Sequence, residues 1–259
     1  MSIKVSVIMA AYNGEDYIEE SVRSILVQTF KNFELIIVDD GSTDGTVGKI
    51  KQIDDPRIRI VRQGNQGQAS ALIAGIQKAK GDLIARLDQD DCSLPDRLLR
   101  QVEFMNANPK VNLCGTRFKE KYGENLFPQR VYFAQTNAEI KKVISFYNPF
   151  AHSAVMFRRD AYFQVGGYDK NFTICMDHDL YVRLMEIGEV YNMEEVLTII
   201  LMNKKSVSMR RSRSKTFEGI QIRCRAYSKF RGNLLLTGFY IFKSIAGLMV
   251  PGRIKMLLF

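Results

Sequence analysis

Three polar clusters each follow a short apolar run near the start of the chain. Ala11-Tyr12-Asn13-Gly14 follows Val5–Ala10, Asp39-Asp40-Gly41-Ser42-Thr43-Asp44 follows Phe33–Val38, and Asp88-Gln89-Asp90-Asp91 follows Leu83–Leu87. The carboxylates of the last cluster are hard oxygen ligands suited to Mg2+ or Mn2+. Such ions are commonly held by one or two carboxylates together with phosphate oxygens and water. The same residues would equally serve as a polar turn at a helix start. In the second cluster, Gly41 can turn the chain and Asp44 can cap the next helix. That leaves Asp39 without a partner, and a carboxylate at a strand end can accept the imide N–H of a uracil or thymine ring. No G-x-G-x-x-G follows the first run and no G-x-x-x-x-G-K-[ST] occurs, which disfavours a dinucleotide dehydrogenase and a P-loop NTPase.

Clusters of this kind act together only if a scaffold brings them to one edge. Strands are expected at Val5–Ala10, Phe33–Val38, Ile58–Val61, Leu83–Leu87 and Val111–Gly115. Between them, helices are expected over Glu15–Val27, Asp44–Ile53, Gln68–Ala79 and Pro95–Asn106, the last with Ser93 as its cap. This alternation predicts an α/β fold with a mostly parallel sheet covered on both faces, whose ligands bind beyond the carboxyl ends of the strands. From Thr116 to Phe150 the pattern blurs, and an antiparallel strand or two is expected. Val155–Phe157 reads as a further strand, and Asp177 or its neighbour starts a helix that stops at Gly188.

The chain has 259 residues, 46% hydrophobic and 25% charged, the balance of an ordinary globular protein. Its four cysteines form no C-x-x-C pair, which argues against a disulfide scaffold or structural zinc site. The start of the chain runs directly into a strand-like segment with no signal-peptide core, so a cytoplasmic location is expected. The net charge of +9 is unevenly spread. Residues 203–259 hold 13 of the 37 Lys and Arg and one of the 28 Asp and Glu, leaving 24 basic against 27 acidic residues in the body. A slightly acidic body of residues 1–202 thus carries a basic segment of residues 203–259.

The motifs resemble those of family 2 glycosyltransferases. The resemblance lies in Ser6-Val7-Ile8-Met9-Ala10-Ala11-Tyr12-Asn13, Gln28-Thr29-Phe30, Glu34 to Asp44, Ala85 to Asp91 and Pro95-Asp96-Arg97-Leu98, and it covers roughly residues 4 to 185. It implies the GT-A fold, a nucleotide-sugar donor (a UDP-sugar), a divalent metal (Mn2+ or Mg2+) and transfer with inversion. Matched residue by residue, Asp39 would contact the base, Ala11 and Tyr12 would line the nucleotide pocket, Asp88 would approach the ribose or the sugar, and Asp90 would ligate the metal. Direct displacement at an anomeric carbon needs the acceptor hydroxyl deprotonated as it attacks, and a carboxylate is the usual base. The family's Glu-Asp pair aligns with Met176-Asp177 in Met176-Asp177-His178-Asp179-Leu180-Tyr181, so Asp177 matches the base, and Asp179 is the competing candidate. His152 matches a histidine near the acceptor side, with a structural hydrogen bond as its other reading. Ile73 stands where many relatives carry Asn. The processive members' Gln-x-x-Arg-Trp is absent, since the chain has no tryptophan, which favours transfer of a single sugar.

The apolar stretch from Leu234 to Val250 is broken by polar residues and falls short of the ~20 clean residues of a spanning helix. Flanked by Arg231, Arg253 and Lys255, and preceded by Arg210, Arg211, Arg213 and Lys215, it suits a helix lying on an anionic membrane surface. A terminal helix packed on the body, or a homo-oligomer contact, is the other reading. A transferase of this kind would build cell-surface polysaccharide on a glycan or lipid-linked acceptor at the inner face of the cell membrane. The rival readings are a sugar-nucleotide pyrophosphorylase, and a non-enzymatic module binding membrane or nucleic acid through the basic tail. The net acidic body argues against a nucleic-acid partner.

Overall fold

The computed structural model describes residues 4–130, 133–202 and 213–249, with side chains described up to residue 245 except for residues 213–215. A nine-stranded sheet forms the centre, in the order β3-β2-β1-β4-β8-β6-β9-β5, with β7 paired to β6. The strands are β1 (Val5–Ala11), β2 (Phe33–Asp39), β3 (Ile58–Arg62), β4 (Leu83–Arg86), β5 (Cys92–Ser93), β6 (Val111–Tyr122), β7 (Asn125–Pro128), β8 (Met156–Arg158) and β9 (Glu189–Leu201). β3, β2, β1 and β4 are parallel, and β8 is antiparallel to both β4 and β6. β9 is parallel to β6, so β6 and β9 share the direction of the first four strands. The sheet is therefore mostly parallel, as expected; β7 is an antiparallel strand of the kind anticipated between Thr116 and Phe150, and β8 is the further strand expected at Val155–Phe157.

Every residue of β1 and β2 is buried, because helices cover both faces and a strand buried on both sides reads as one apolar run. Side chains alternate between two cores. Val5, Val7 and Met9 face α1 (Ile18–Leu26) and α4 (Arg97–Ala107), with Ile50 of α2 (Thr46–Lys51) in the same core. Ile8 and Ala10 face α3 (Gln68–Gln77), in a core that includes α5 (Asn137–Val143), α6 (Arg159–Gln164) and α7 (Met176–Ile187). That second core also takes Ile222 and Ala226 of α8 (Arg213–Phe230), which precedes α9 (Leu234–Met249).

Two expectations are corrected. Ser93 does not cap the fourth helix. It lies in β5, its Oγ accepts from Arg97 Nη1 at 2.9 Å, and the helix begins only at Arg97. The strand expected at Val111–Gly115 continues to Tyr122, because β9 and β7 take up its hydrogen bonds on either side. Arg210, Arg211, Arg253 and Lys255 lie outside the described residues. Among the described residues no helix is long and apolar enough to cross a membrane.

Candidate active site

The three polar clusters meet at the carboxyl end of the parallel strands. Ala11 is paired with Asp39 across β1 and β2, and Ile8 with Arg86 across β1 and β4, so all three loops leave the sheet side by side. They are woven together by backbone hydrogen bonds. Asn13, at φ 46°, accepts from Thr43 N at 2.9 Å and donates its own N–H to Ser42 Oγ at 3.0 Å. Gln89 holds the backbone of Tyr12 from both sides, accepting from its N–H at 2.9 Å and donating to its carbonyl at 3.1 Å. A Cβ at Gly14 would run into that same Gln89 side chain, so a larger residue there would have to displace Gln89 from the Tyr12 backbone.

Asp39 is fully buried and has partners, contrary to the expectation that it stands alone. Its Oδ1 accepts from Ser42 N at 3.1 Å and its Oδ2 from Arg62 Nε at 3.2 Å, because β3 places Arg62 directly opposite Asp39. Asp40 is also buried and organises the loop before α3, accepting from Gln66 N, Gly67 N and Gln63 Nε2. Ala11, expected to line the nucleotide pocket, is fully buried with its side chain in the core shared with α1 and α4, whereas Tyr12 is 44% exposed.

Asp88 sits in a cage of donors. Arg86 Nη2 reaches Oδ1 at 2.6 Å, Gln68 Nε2 reaches it at 2.9 Å, and Ser153 Oγ donates to Oδ2 at 3.0 Å. Burial opposes the charge of Asp88, but the Arg86 guanidinium and the hydrogen bonds from Arg86 and Ser153 outweigh it and hold the carboxyl below its usual range. Arg86 is itself fully buried and sends Nε to His152 Nε2 at 3.1 Å and Nη1 to the carbonyls of Ile8 and Leu87. His152 also lies 2.8 Å from the Tyr168 hydroxyl, and burial, followed by the Arg86 charge, pushes it down to about 3, leaving a neutral ring.

Asp90 is raised to about 6 by burial and by the charge of Asp88. Asp91 is buried, and its Oδ1 accepts from Leu201 N at 2.8 Å, tying the loop to the end of β9. Among the described residues no group of three or more His, Cys, Asp or Glu forms a metal cage. The Asp90 carboxylate, whose oxygens are tied up by no hydrogen bond comparable to those on Asp88 among the described residues, is nevertheless a hard ligand that fits a cation taking its remaining ligands from a diphosphate and water.

Asp177 is in the first turn of α7, and its Oδ2 accepts from Asn148 Nδ2 at 2.8 Å. Burial is the main cause that raises it to about 6; the charge of Asp88 adds to this and that of Arg86 opposes it, so the three groups lie within electrostatic reach. Asp179 points elsewhere. Its Oδ2 accepts from Arg183 Nε at 2.9 Å and from Nη2 at 2.5 Å, and its Oδ1 lies 3.7 Å from Arg225.

The structure thus gathers Tyr12, Asp39, Asp88, Asp90, His152 and Asp177 around one end of the sheet and commits Asp179 to an ion pair. Sequence reasoning did not single out Arg86, Gln68, Asn148, Ser153 or Tyr168. For Arg86 a signal existed: a guanidinium between Ala85 and Leu87, inside a strand buried on both faces, has to find polar partners there.

A family model described as Glycosyl transferase family 2 matches residues 6–166. The chain belongs to this family. The transferase is 37% identical over 207 residues to EpsE of Bacillus subtilis (strain 168), covering 75% of this chain and 71% of that one. It is 26% identical over 261 residues to the amylovoran biosynthesis glycosyltransferase AmsE of Erwinia amylovora, covering 98% and 97%. Among solved structures, S. aureus TarS 1-349 in complex with UDP-GlcNAc superposes with a TM-score of 0.73 at 16% identity, covering 93% of this chain and 71% of that one. Mannosyltransferase PcManGT from Pyrobaculum calidifontis, in complex with GDP-Man and Mn2+, gives 0.63 at 16%, covering 99% and 83%. The transferase therefore has the GT-A fold, and the pyrophosphorylase and non-enzymatic readings fall away.

Proposed function

We propose that the transferase moves one sugar from a UDP-sugar to a hydroxyl of a glycan or lipid-linked acceptor, with inversion, in cell-surface polysaccharide biosynthesis. The observation that carries this reading is the placement of two carboxylates at the site: Asp88, fixed after β4 by Arg86, Gln68 and Ser153, and Asp177, held by Asn148 in the first turn of α7. Asp88, kept ionised by Arg86, accepts hydroxyls of the ribose or the sugar. Asp177, with its pKa near 6, takes the acceptor's proton as the oxygen attacks the anomeric carbon. Asp179 is a poorer base because guanidinium groups face both of its oxygens.

Asp39 and Tyr12 would hold the uracil ring, with the largely exposed Arg62 side chain sharing or vacating the Asp39 carboxylate. Asp90, with Asp88 beside it, would hold Mn2+ or Mg2+, whose charge neutralises the leaving diphosphate. The UDP-GlcNAc in the TarS complex and the GDP-Man and Mn2+ in the PcManGT complex support a nucleotide-sugar donor and a divalent metal as the ligand classes. His152, neutral and tied to Arg86 and Tyr168, supports the shape of the site through hydrogen bonds.

We assign residues 1–202 to the catalytic body and residues 203–259 to a segment that partly packs on it and meets the inner face of the cell membrane. On α9, Leu234, Leu235, Leu236, Phe239, Phe242 and Ile245 are exposed beside a strongly basic stretch of sequence. A combined apolar and basic surface suits an anionic bilayer.

A thermal-shift screen of UDP- and GDP-sugars with and without Mn2+ tests the donor, since a ligand of the native state raises the melting temperature. A UDP-sugar that stabilises only with Mn2+, and is turned over to a product of inverted anomeric configuration by NMR, is the expected result. No shift with any UDP-sugar, or retained configuration, would overturn the reading.

A further inference from the structure

Glu218 is the single acidic residue of the basic segment 203–259, and it is buried. From α8 it reaches back to the loop that leads into α7. Its Oε1 accepts from Thr173 N at 3.1 Å and from Thr173 Oγ1 at 2.9 Å, while its Oε2 accepts from Ile174 N at 3.0 Å and from Cys175 N at 2.9 Å. The amides at a helix start lack partners within the helix and need an outside acceptor. Cys175, the boundary residue of α7, supplies no side-chain cap. Glu218 serves the chain just ahead of that start from a different helix, with a charge-assisted bond to each amide.

Asp177 is the second residue of α7, two positions beyond the last amide that Glu218 holds. We propose that Glu218 is a positioning residue for Asp177: it fixes the entry into α7 so that the carboxylate stays on Asn148 and faces the donor. This rests on the reading of Asp177 as the base. α8 is a firm platform for the role. Ile222 and Ala226 enter the core, Arg225 bonds Glu186 at 2.9 Å, and Lys229 lies 3.4 Å from Glu186. The segment after residue 202 thereby completes the site, besides any membrane role it has.

The test compares full-length wild type, Glu218→Gln, Lys229→Ala and Asp177→Asn. Turnover is UDP release in Mn2+ from whichever of UDP-glucose, UDP-galactose, UDP-GlcNAc and UDP-GalNAc the wild type consumes. UDP affinity is read by calorimetry, and amide exchange of residues 173–177 by mass spectrometry. Glu218→Gln keeps the side chain's shape but loses its charge and one acceptor oxygen. It is expected to lower kcat by tenfold or more, to keep the UDP dissociation constant within twofold, and to speed exchange at residues 173–177. Lys229→Ala, which removes one exposed ion-pair partner of α8 while leaving Ile222, Ala226 and Arg225 to hold the helix, is expected to keep kcat within twofold. Native kcat in Glu218→Gln beside an inactive Asp177→Asn would overturn the positioning role alone. Equal losses of kcat and UDP affinity would also overturn it, making Glu218 a packing residue. An active Asp177→Asn would instead remove the base reading, and the positioning role with it.

Discussion

Arg86 Nη2 and Asp88 Oδ1 lie 2.6 Å apart, with the guanidinium wholly inside the protein and the carboxylate at the wall of the crevice. A buried cation of this kind is tolerated because each of its nitrogens has an acceptor, and it in turn keeps the functional carboxylate charged. The pair converts a core position in β4 into control of the site.

Breaking it is therefore costly. Removing one partner of a buried ion pair typically destabilises by about 3–5 kcal/mol. Arg86→Met is expected to lose stability on that scale in urea unfolding. Arg86→Lys is expected to lose most of it too, since one ammonium cannot serve the Ile8 and Leu87 carbonyls, His152 and Asp88 together. Wild-type stability in Arg86→Lys would show that the guanidinium network is dispensable.

The raised pKa of Asp177 sets a pH dependence. A base must be ionised to act, so kcat is expected to be flat above about pH 7 and to fall about tenfold per unit below about pH 6. The stability effect has the opposite sense. A carboxyl whose pKa is raised on folding, from 3.8 to about 6, contributes stability that is present below 3.8 and is lost as pH rises through about 6. Asp177→Asn is thus expected to melt no lower than wild type at pH 7. A kcat profile without an acid limb near pH 6 would speak against Asp177.

Asp90→Asn removes charge from the proposed cation site. It is expected to keep the fold, judged by circular dichroism, while UDP binding loses its Mn2+ dependence. Undiminished Mn2+ enhancement of UDP affinity would place the ion elsewhere.

On α9, Leu235 is 83% and Phe242 69% exposed. Burying such side chains contributes about 1.5–3 kcal/mol each, so replacing both with Ser is expected to weaken co-sedimentation with anionic vesicles by at least tenfold. Unchanged sedimentation would assign this face to packing or to a second copy of the chain.

Much of this architecture is legible in the sequence, for reasons visible in particular residues. β1 and β2 are buried on both faces, so their apolar runs cannot be mistaken for loops. The site clusters are local and follow those strands directly. β9 escaped notice because Glu194 and Glu195 interrupt it and its register with β6 shifts in that region. The extension of β6 is similarly hidden by Arg117, Lys119, Glu120 and Lys121. The partnership of Asp39 with Arg62 depends on the pairing of β2 with β3, and that of Glu218 with residues 173–175 on where α8 lands. Neither register nor docking is encoded at short range, so a lone glutamate in a basic tail reads as a surface charge.

The choice between Asp177 and Asp179 is decided by UDP release at saturating donor in Mn2+, below the melting transition of each variant. Asp177→Asn is expected to bind UDP as wild type does and to lose ~10²-fold or more in kcat. Asp179→Asn is expected to keep kcat within tenfold while losing stability, because Arg183 and Arg225 lose their shared carboxylate. An active Asp177→Asn beside an inactive, folded Asp179→Asn would contradict the assignment of the base.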